Sequence, residues 1–135
     1  MAKSTYFCER LLRWVMGEPF PAPALALYLG LHTSHPDTVG VGEADVFGRK
    51  KRHKIEQVGL QILTSGQRLR LTNTHTLELG EVKRETRGVV YLGIWDREDI
   101  GTGSLLFYSQ LPQTRDLLVG DRVVLPAQAF VMEEE

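Results

Sequence analysis

With 135 residues, 42% of them hydrophobic and 24% charged, the chain can enclose one core and is too apolar for general disorder. A formal net charge of −1 excludes a polycation that grips nucleic acid by bulk charge, so any charge-based function must come from local clusters. Cys8 is the single cysteine, which excludes an internal disulfide and a Cys-ligated zinc site and suits a reducing compartment.

Residues 5–16 predict an amphipathic helix. Phe7, Leu11 and Trp14 follow helical spacing, with Cys8, Leu12 and Val15 beside them. Ser4 or Thr5 can cap its start, Glu9 precedes Arg13 by the favourable four positions, and Gly17 and Pro19 end it. Glu9, Arg10 and Arg13 interrupt this only early apolar segment, so no export signal is expected. The helix can pack on its own domain or be lent to a neighbouring chain through Phe7, Leu11 and Trp14.

A proline-rich connector, 17–23, leads into the run from Ala24 to His32 (ALALYLGLH), which predicts the central strand. Leu25, Leu27, Leu29 and Leu31 make one face, and Ala24, Ala26, Tyr28 and Gly30 the other. A strand apolar on both sides is normally covered on both sides, which marks Tyr28 as a contact residue. The run is far too short for a membrane-spanning helix. His32 to Ala44 follows as a loop rich in turn residues, long enough to bind or to move.

From Val46 onward the signals are short and β-like. Strands are expected at 55–58, 60–63, 67–71, 74–79, 88–95, 105–111, 121–125 and 128–132, with Gly, Asp and Pro between them. Many short strands with regular turns indicate an antiparallel sandwich or barrel. No repeat or second domain is visible, so residues 1–135 are read as one domain, a helix at 5–16 followed by a β unit at 24–132.

Chemistry-bearing groupings are sparse. His32 and His35 lie three apart near Asp37, but Pro36 disfavours the helix such metal-ligand spacing needs, so no metal site is assigned. Asp96, Glu98 and Asp99 read as a solvated turn that lacks the calcium-loop glycine. There is no nucleophile elbow, phosphate-binding glycine loop or Cys–His pair, and no cofactor or catalytic residue is expected. Arg49, Lys50, Lys51, Arg52 and Lys54 put five permanent cations in six positions, charging both faces of a strand. Such a run can be a solvated sheet edge, a contact with an acidic patch such as Glu133 to Glu135 of a neighbouring copy, or a nucleic-acid site. The last is the least supported, since no aromatics are interleaved and the pI is about 6.4.

The order of these segments resembles that of small bacteriophage tail proteins, often labelled tail fibre proteins. Leu27 to Pro36 (LYLGLHTSHP) is similar to their opening, and Leu11 to Gly17 (LLRWVMG) to the short helix before it. Phe47 to Arg49, Asn73 with Thr74, Val89 to Asp96 (VVYLGIWD), Gly103 to Phe107, Gly120 with Asp121, and Leu125 to Ala127 follow in the family's order. The chain departs from the family at Arg84 to Gly88, where a Trp-Gly step is usual, and in the density of cations from Arg49 to Lys54. The resemblance implies a virion structural protein of a tail fibre or baseplate, assembled in the host cytoplasm.

The fold expected is therefore an all-β antiparallel β-sandwich with a short N-terminal α-helix. The function expected is non-catalytic assembly with other virion proteins and with copies of itself, as a trimer or hexamer ring, without membrane or nucleic-acid partners. A capsid-decorating or head-fibre subunit is the alternative role, and a polyanion- or nucleic-acid-binding module using the basic run 49–54 is a less favoured one. The expected contact residues are Phe7, Leu11, Trp14, Tyr28, Arg49, Lys50, Lys51, Arg52 and Lys54.

Overall fold

The computed structural model describes residues 2–20, 26–36, 42–56, 60–65, 68–125 and 131–134. In chain order these form β1 (Ala2–Lys3), α1 (Thr5–Val15), β2 (Leu27–His32), β3 (His53–Ile55), β4 (Leu60–Ser65) and β5 (Arg68–Asn73). They continue with β6 (Leu77–Glu81), β7 (Thr86–Trp95), β8 (Leu105–Leu117), β9 (Arg122–Leu125) and β10 (Val131–Glu134). The protein is all-β and antiparallel with one short N-terminal helix, as the pattern of short strands predicts.

A five-stranded sheet runs β1-β8-β7-β2-β3, beside a three-stranded sheet β10-β5-β4 and a two-stranded sheet β6-β9. β2 is not the central strand that its leucines suggest. It lies one place from the edge, and β7 occupies the middle. Its leucine face nevertheless enters the core: Leu29 and Leu31 sit opposite Ile94 and Leu92 of β7 and share one apolar cluster with Val46, Ile55, Leu79, Val82 and Val89. Leu60, Leu71, Leu77, Val123 and Leu125 of the two smaller sheets pack against that cluster, so the sheets meet over a common interior in a sandwich-like arrangement. Ala24 and Leu25, which would extend the leucine run, lie outside the described residues, as do Asp37, Val58, Gln67 and Gln128.

Two strands differ from expectation for identifiable reasons. β8 continues through Pro112 to Leu117, although proline usually ends a strand. Between the pairs Tyr91↔Gln110 and Val89↔Arg115 the register shifts, and Pro112 falls in that slipped segment, where no regular ladder hydrogen bond is required of it. β6 starts at Leu77, because Thr74 and His75 form a bend after β5.

The helix is fixed at its start. Ser4 is fully buried; its Oγ accepts from the Phe7 N–H at 3.0 Å and donates to the Leu105 carbonyl, while its own N–H donates to Leu106 O at 2.8 Å. One residue thus caps α1 and pins it to β8. Gly17, at φ +97°, ends the helix in the left-handed conformation that glycine alone adopts freely.

Candidate functional site

Side chains alternate across β2 and β7, so the face opposite the aliphatic core carries Tyr28, Gly30 and His32 against Trp95, Gly93 and Tyr91. Here the structure assembles a polar cluster from segments far apart in sequence. Arg52 is 4% exposed. Its Nε and Nη2 donate to the two carboxylate oxygens of Glu43 at 2.6 and 2.7 Å, and its Nη1 donates to the carbonyls of Arg97 and Thr102 at 2.9 Å. The guanidinium lies 3.9 Å from the centroid of the Trp95 ring. Trp95 Nε1 in turn donates to His32 Nε2 at 3.2 Å.

This cluster depends on the two glycines. A Cβ on Gly93 would lie 2.7 Å from His32 Nε2 and 2.9 Å from Trp95 Nε1, and one on Gly30 would lie 2.6 Å from a Glu43 carboxylate oxygen. Only a bare backbone leaves room for the rings and the carboxylate at these positions. His32 is buried to 1% exposure, and its Nδ1 has no hydrogen-bond partner. Burial, and then the neighbouring Arg52 cation, push its pKa down to about 4, so it is neutral at pH 7. Above the cluster opens a recess of about 440 Å³, walled by Tyr6 and Glu9 of the helix, Glu43, Arg52, Trp95 and Ser104.

His35, which the sequence pairs with His32 by spacing, belongs to a different neighbourhood. Its ring meets Tyr108 at 4.6 Å and Tyr91 at 5.2 Å. Among the described residues no group of three His, Cys, Asp or Glu is placed to hold a metal ion. The acidic turn after β7 is committed to its own geometry: Asp96 Oδ1 accepts from the Ser104 N–H at 2.6 Å, and Glu98 pairs with Lys51 at 3.1 Å.

The basic run is dispersed by the fold. Arg52 turns inward and is consumed by the cluster, so it is not a surface cation available to a partner. Lys51 pairs with Glu98 and Lys54 with Glu56, while Arg49 lies over the Phe47 ring at 5.2 Å. Lys50 takes the left-handed conformation at φ +55°, its N–H donating to Asp45 Oδ1. Arg49, Lys50, Lys51 and Lys54 remain exposed beside β3, an edge strand of the large sheet. Burial and then Arg49 lower the pKa of His53, and the hydrogen bond that Lys51 donates to Glu98 raises its own. At the C-terminal end, β10 pairs with β5 in a register that sets Glu133 opposite Arg70, and Glu135 lies outside the described residues.

On the helix the expected contact residues divide. Phe7 faces its own chain, 5.1 Å from Phe107 and 6.1 Å from Phe20 between ring centroids. Leu11 is half-buried, and Trp14 is 59% exposed. Tyr28 is half-buried on the second face of β2. The cluster around Arg52 was hidden from sequence reading because its partners at 43, 95, 97 and 102 share no local pattern with it. The one available signal was the pair of glycines in LYLGLH and VVYLGIW, each interrupting an apolar strand at the place where the cluster needs space.

Compared with known families, residues 2–133 match the family model described as Podophage GP4 fiber I protein gp80. No curated protein matches the chain.

Proposed function

The chain belongs to that phage fibre protein family, and on this premise we propose that it is a non-catalytic assembly subunit of a tail fibre or baseplate. The match over nearly the whole chain carries this reading. The internal chemistry supports it: the groups that would first be suspected of catalysis or anion binding, Arg52, Glu43, Asp96 and Glu98, are engaged in holding the fold. Function then rests on surface and symmetry. Buried contact with neighbouring virion proteins and with copies of the chain, in a cyclic trimer or hexamer, holds the particle together without covalent chemistry. The exposed cations beside β3 are read as rim contacts that set orientation rather than as a polyanion site, since Lys51 and Lys54 already have acidic partners.

Imaging of purified particles carrying an antibody or tag against this chain tests the proposal. Label on the tail or its base is expected. Label on the capsid would replace the reading with a head-fibre or decorating role, and particles free of the chain would overturn it.

A further inference from the structure

β8 and β9 follow one another in the chain, joined by the turn 118–121, yet they enter different sheets. The turn is closed on itself, the Leu118 N–H donating to Asp121 Oδ2 and the Asp121 N–H to Leu118 O, both at 2.9 Å. Beyond it the strands part, and a cleft of about 410 Å³ lies between the sheets. Both ladders are interrupted where they border it. β8 advances from Gln110 to Arg115 while β7 advances only from Tyr91 to Val89, and β6 carries Leu79 as an extra residue between Glu78 and Gly80. These irregularities set Leu111, Pro112 and Leu79 in the wall of the cleft, whose floor is made by the core residues Leu31, Val89 and Leu92.

The chemistry of the lining is narrow. Leucine, valine and proline make all of it except Arg115 and Arg122, both exposed at the rim. Among the described residues no side-chain hydroxyl, amide, carboxylate or aromatic ring lines the cleft, so nothing there would orient a sugar, a base or a polar peptide. The space suits an apolar occupant better than water, which needs several polar partners to settle. Its volume falls within the range of roughly 300–1,000 Å³ typical of small-molecule sites. At the rim, Arg122 donates to the Glu78 carboxylate, whereas the Arg115 guanidinium has no acceptor among the described residues. The one polar demand left at the mouth is therefore for an anion.

We propose that this cleft binds a free medium-chain fatty acid, its alkyl chain lying between the sheets over Leu31, Val89 and Leu92 and its carboxylate held by Arg115. A planar guanidinium meets a carboxylate through two parallel hydrogen bonds, and aliphatic walls fit a flexible chain without the platform that a flat ring requires. A single groove takes a single chain, which selects the free acid over a two-chained membrane lipid. The site stands apart from the Arg52 cluster and does not rest on the assembly role.

Calorimetric titration of the full chain at pH 7 with hexanoate, octanoate and decanoate, each below its micelle-forming concentration, tests the proposal. Saturable binding of one molecule per chain is expected, tightening about fourfold for each added methylene. Decan-1-ol should bind at least ~10-fold more weakly than decanoate. Arg115→Gln, at an exposed position, should keep the wild-type circular dichroism and unfolding midpoint, weaken decanoate at least ~10-fold and leave decan-1-ol unchanged. Val124→Asp, which puts a like charge in the cleft wall, should abolish decanoate binding. Nuclear Overhauser contacts from the decanoate chain to the methyl groups of Leu79, Val89 and Leu111 in the wild type locate the ligand without relying on any variant. Absence of saturable heat overturns the proposal, as does affinity that ignores chain length or both substitutions. Equal affinity for decanoate and decan-1-ol also overturns it. So does binding to phosphatidylglycerol vesicles with no binding of free decanoate, which would assign the surface to a membrane.

Discussion

Arg52 and His32 show how position changes what a residue can do. Arg52 sits within a run of lysines and arginines, yet its guanidinium is the hub joining the Glu43 segment between β2 and β3, the 97–102 turn and the aromatic face of the sheet. Removing one side of a buried, bidentate pair strands the other charge, so Arg52→Met or Glu43→Gln is expected to cost about 3–5 kcal/mol in urea unfolding. Lys50→Met, on the exposed surface, should change stability by less than about 0.5 kcal/mol. Equal effects at the two positions would show that Arg52 is not the hub. His32 yields a pH dependence. Above its ordinary value of 6.5 the ring is neutral whether the chain is folded or not. As pH falls below that value, the unfolded chain takes up a proton that the folded site resists until about pH 4. Stability is therefore lost across that window, by on the order of 3 kcal/mol from this group. His53 shifts in the same direction, so the comparison is with His32→Gln, which retains an acceptor for Trp95 but cannot titrate. The urea midpoint of the variant should fall less steeply from pH 7 to 4, and parallel curves would refute the assignment.

Among elements, those governed by local pattern were legible and those governed by distant partners were not. The helix could be read to within a residue because cap, period and terminating glycine all lie within seventeen positions. The strands around Leu29 and Ile94 were legible because apolar runs of that length must be buried. The middle place of β7 was not, since rank within a sheet is set by pairing over long separations. The extension of β8 past Pro112 was equally hidden, because a register slip is a property of two strands together. So was the two-residue β1, which pairs with Tyr108 and Phe107 and carries too few residues for any period. Two expectations follow at this scale. Ser4→Ala removes the helix cap together with the bond to Leu105, and should cost about 1–2 kcal/mol and loosen α1 specifically, read as faster amide exchange across residues 6–9. Gly93→Ala forces a methyl group between His32, Trp95 and Leu105 and should cost about 1–3 kcal/mol, detectable as a lower thermal midpoint with altered Trp fluorescence.

For the whole molecule, the sheets interleave distant parts of the chain. The large sheet collects strands from both sides of β4, β5 and β6, and the three-stranded sheet completes itself only when β10 reaches β5, with Val131 opposite Thr72. Pairings of such long separation are slow to find, because the intervening chain must be ordered before they form. A nascent chain on the ribosome therefore holds an open β5 edge until residues 131–134 have emerged. Residues 131–134 act as a latch, and a copy cannot present the finished three-stranded sheet for assembly before they are in place.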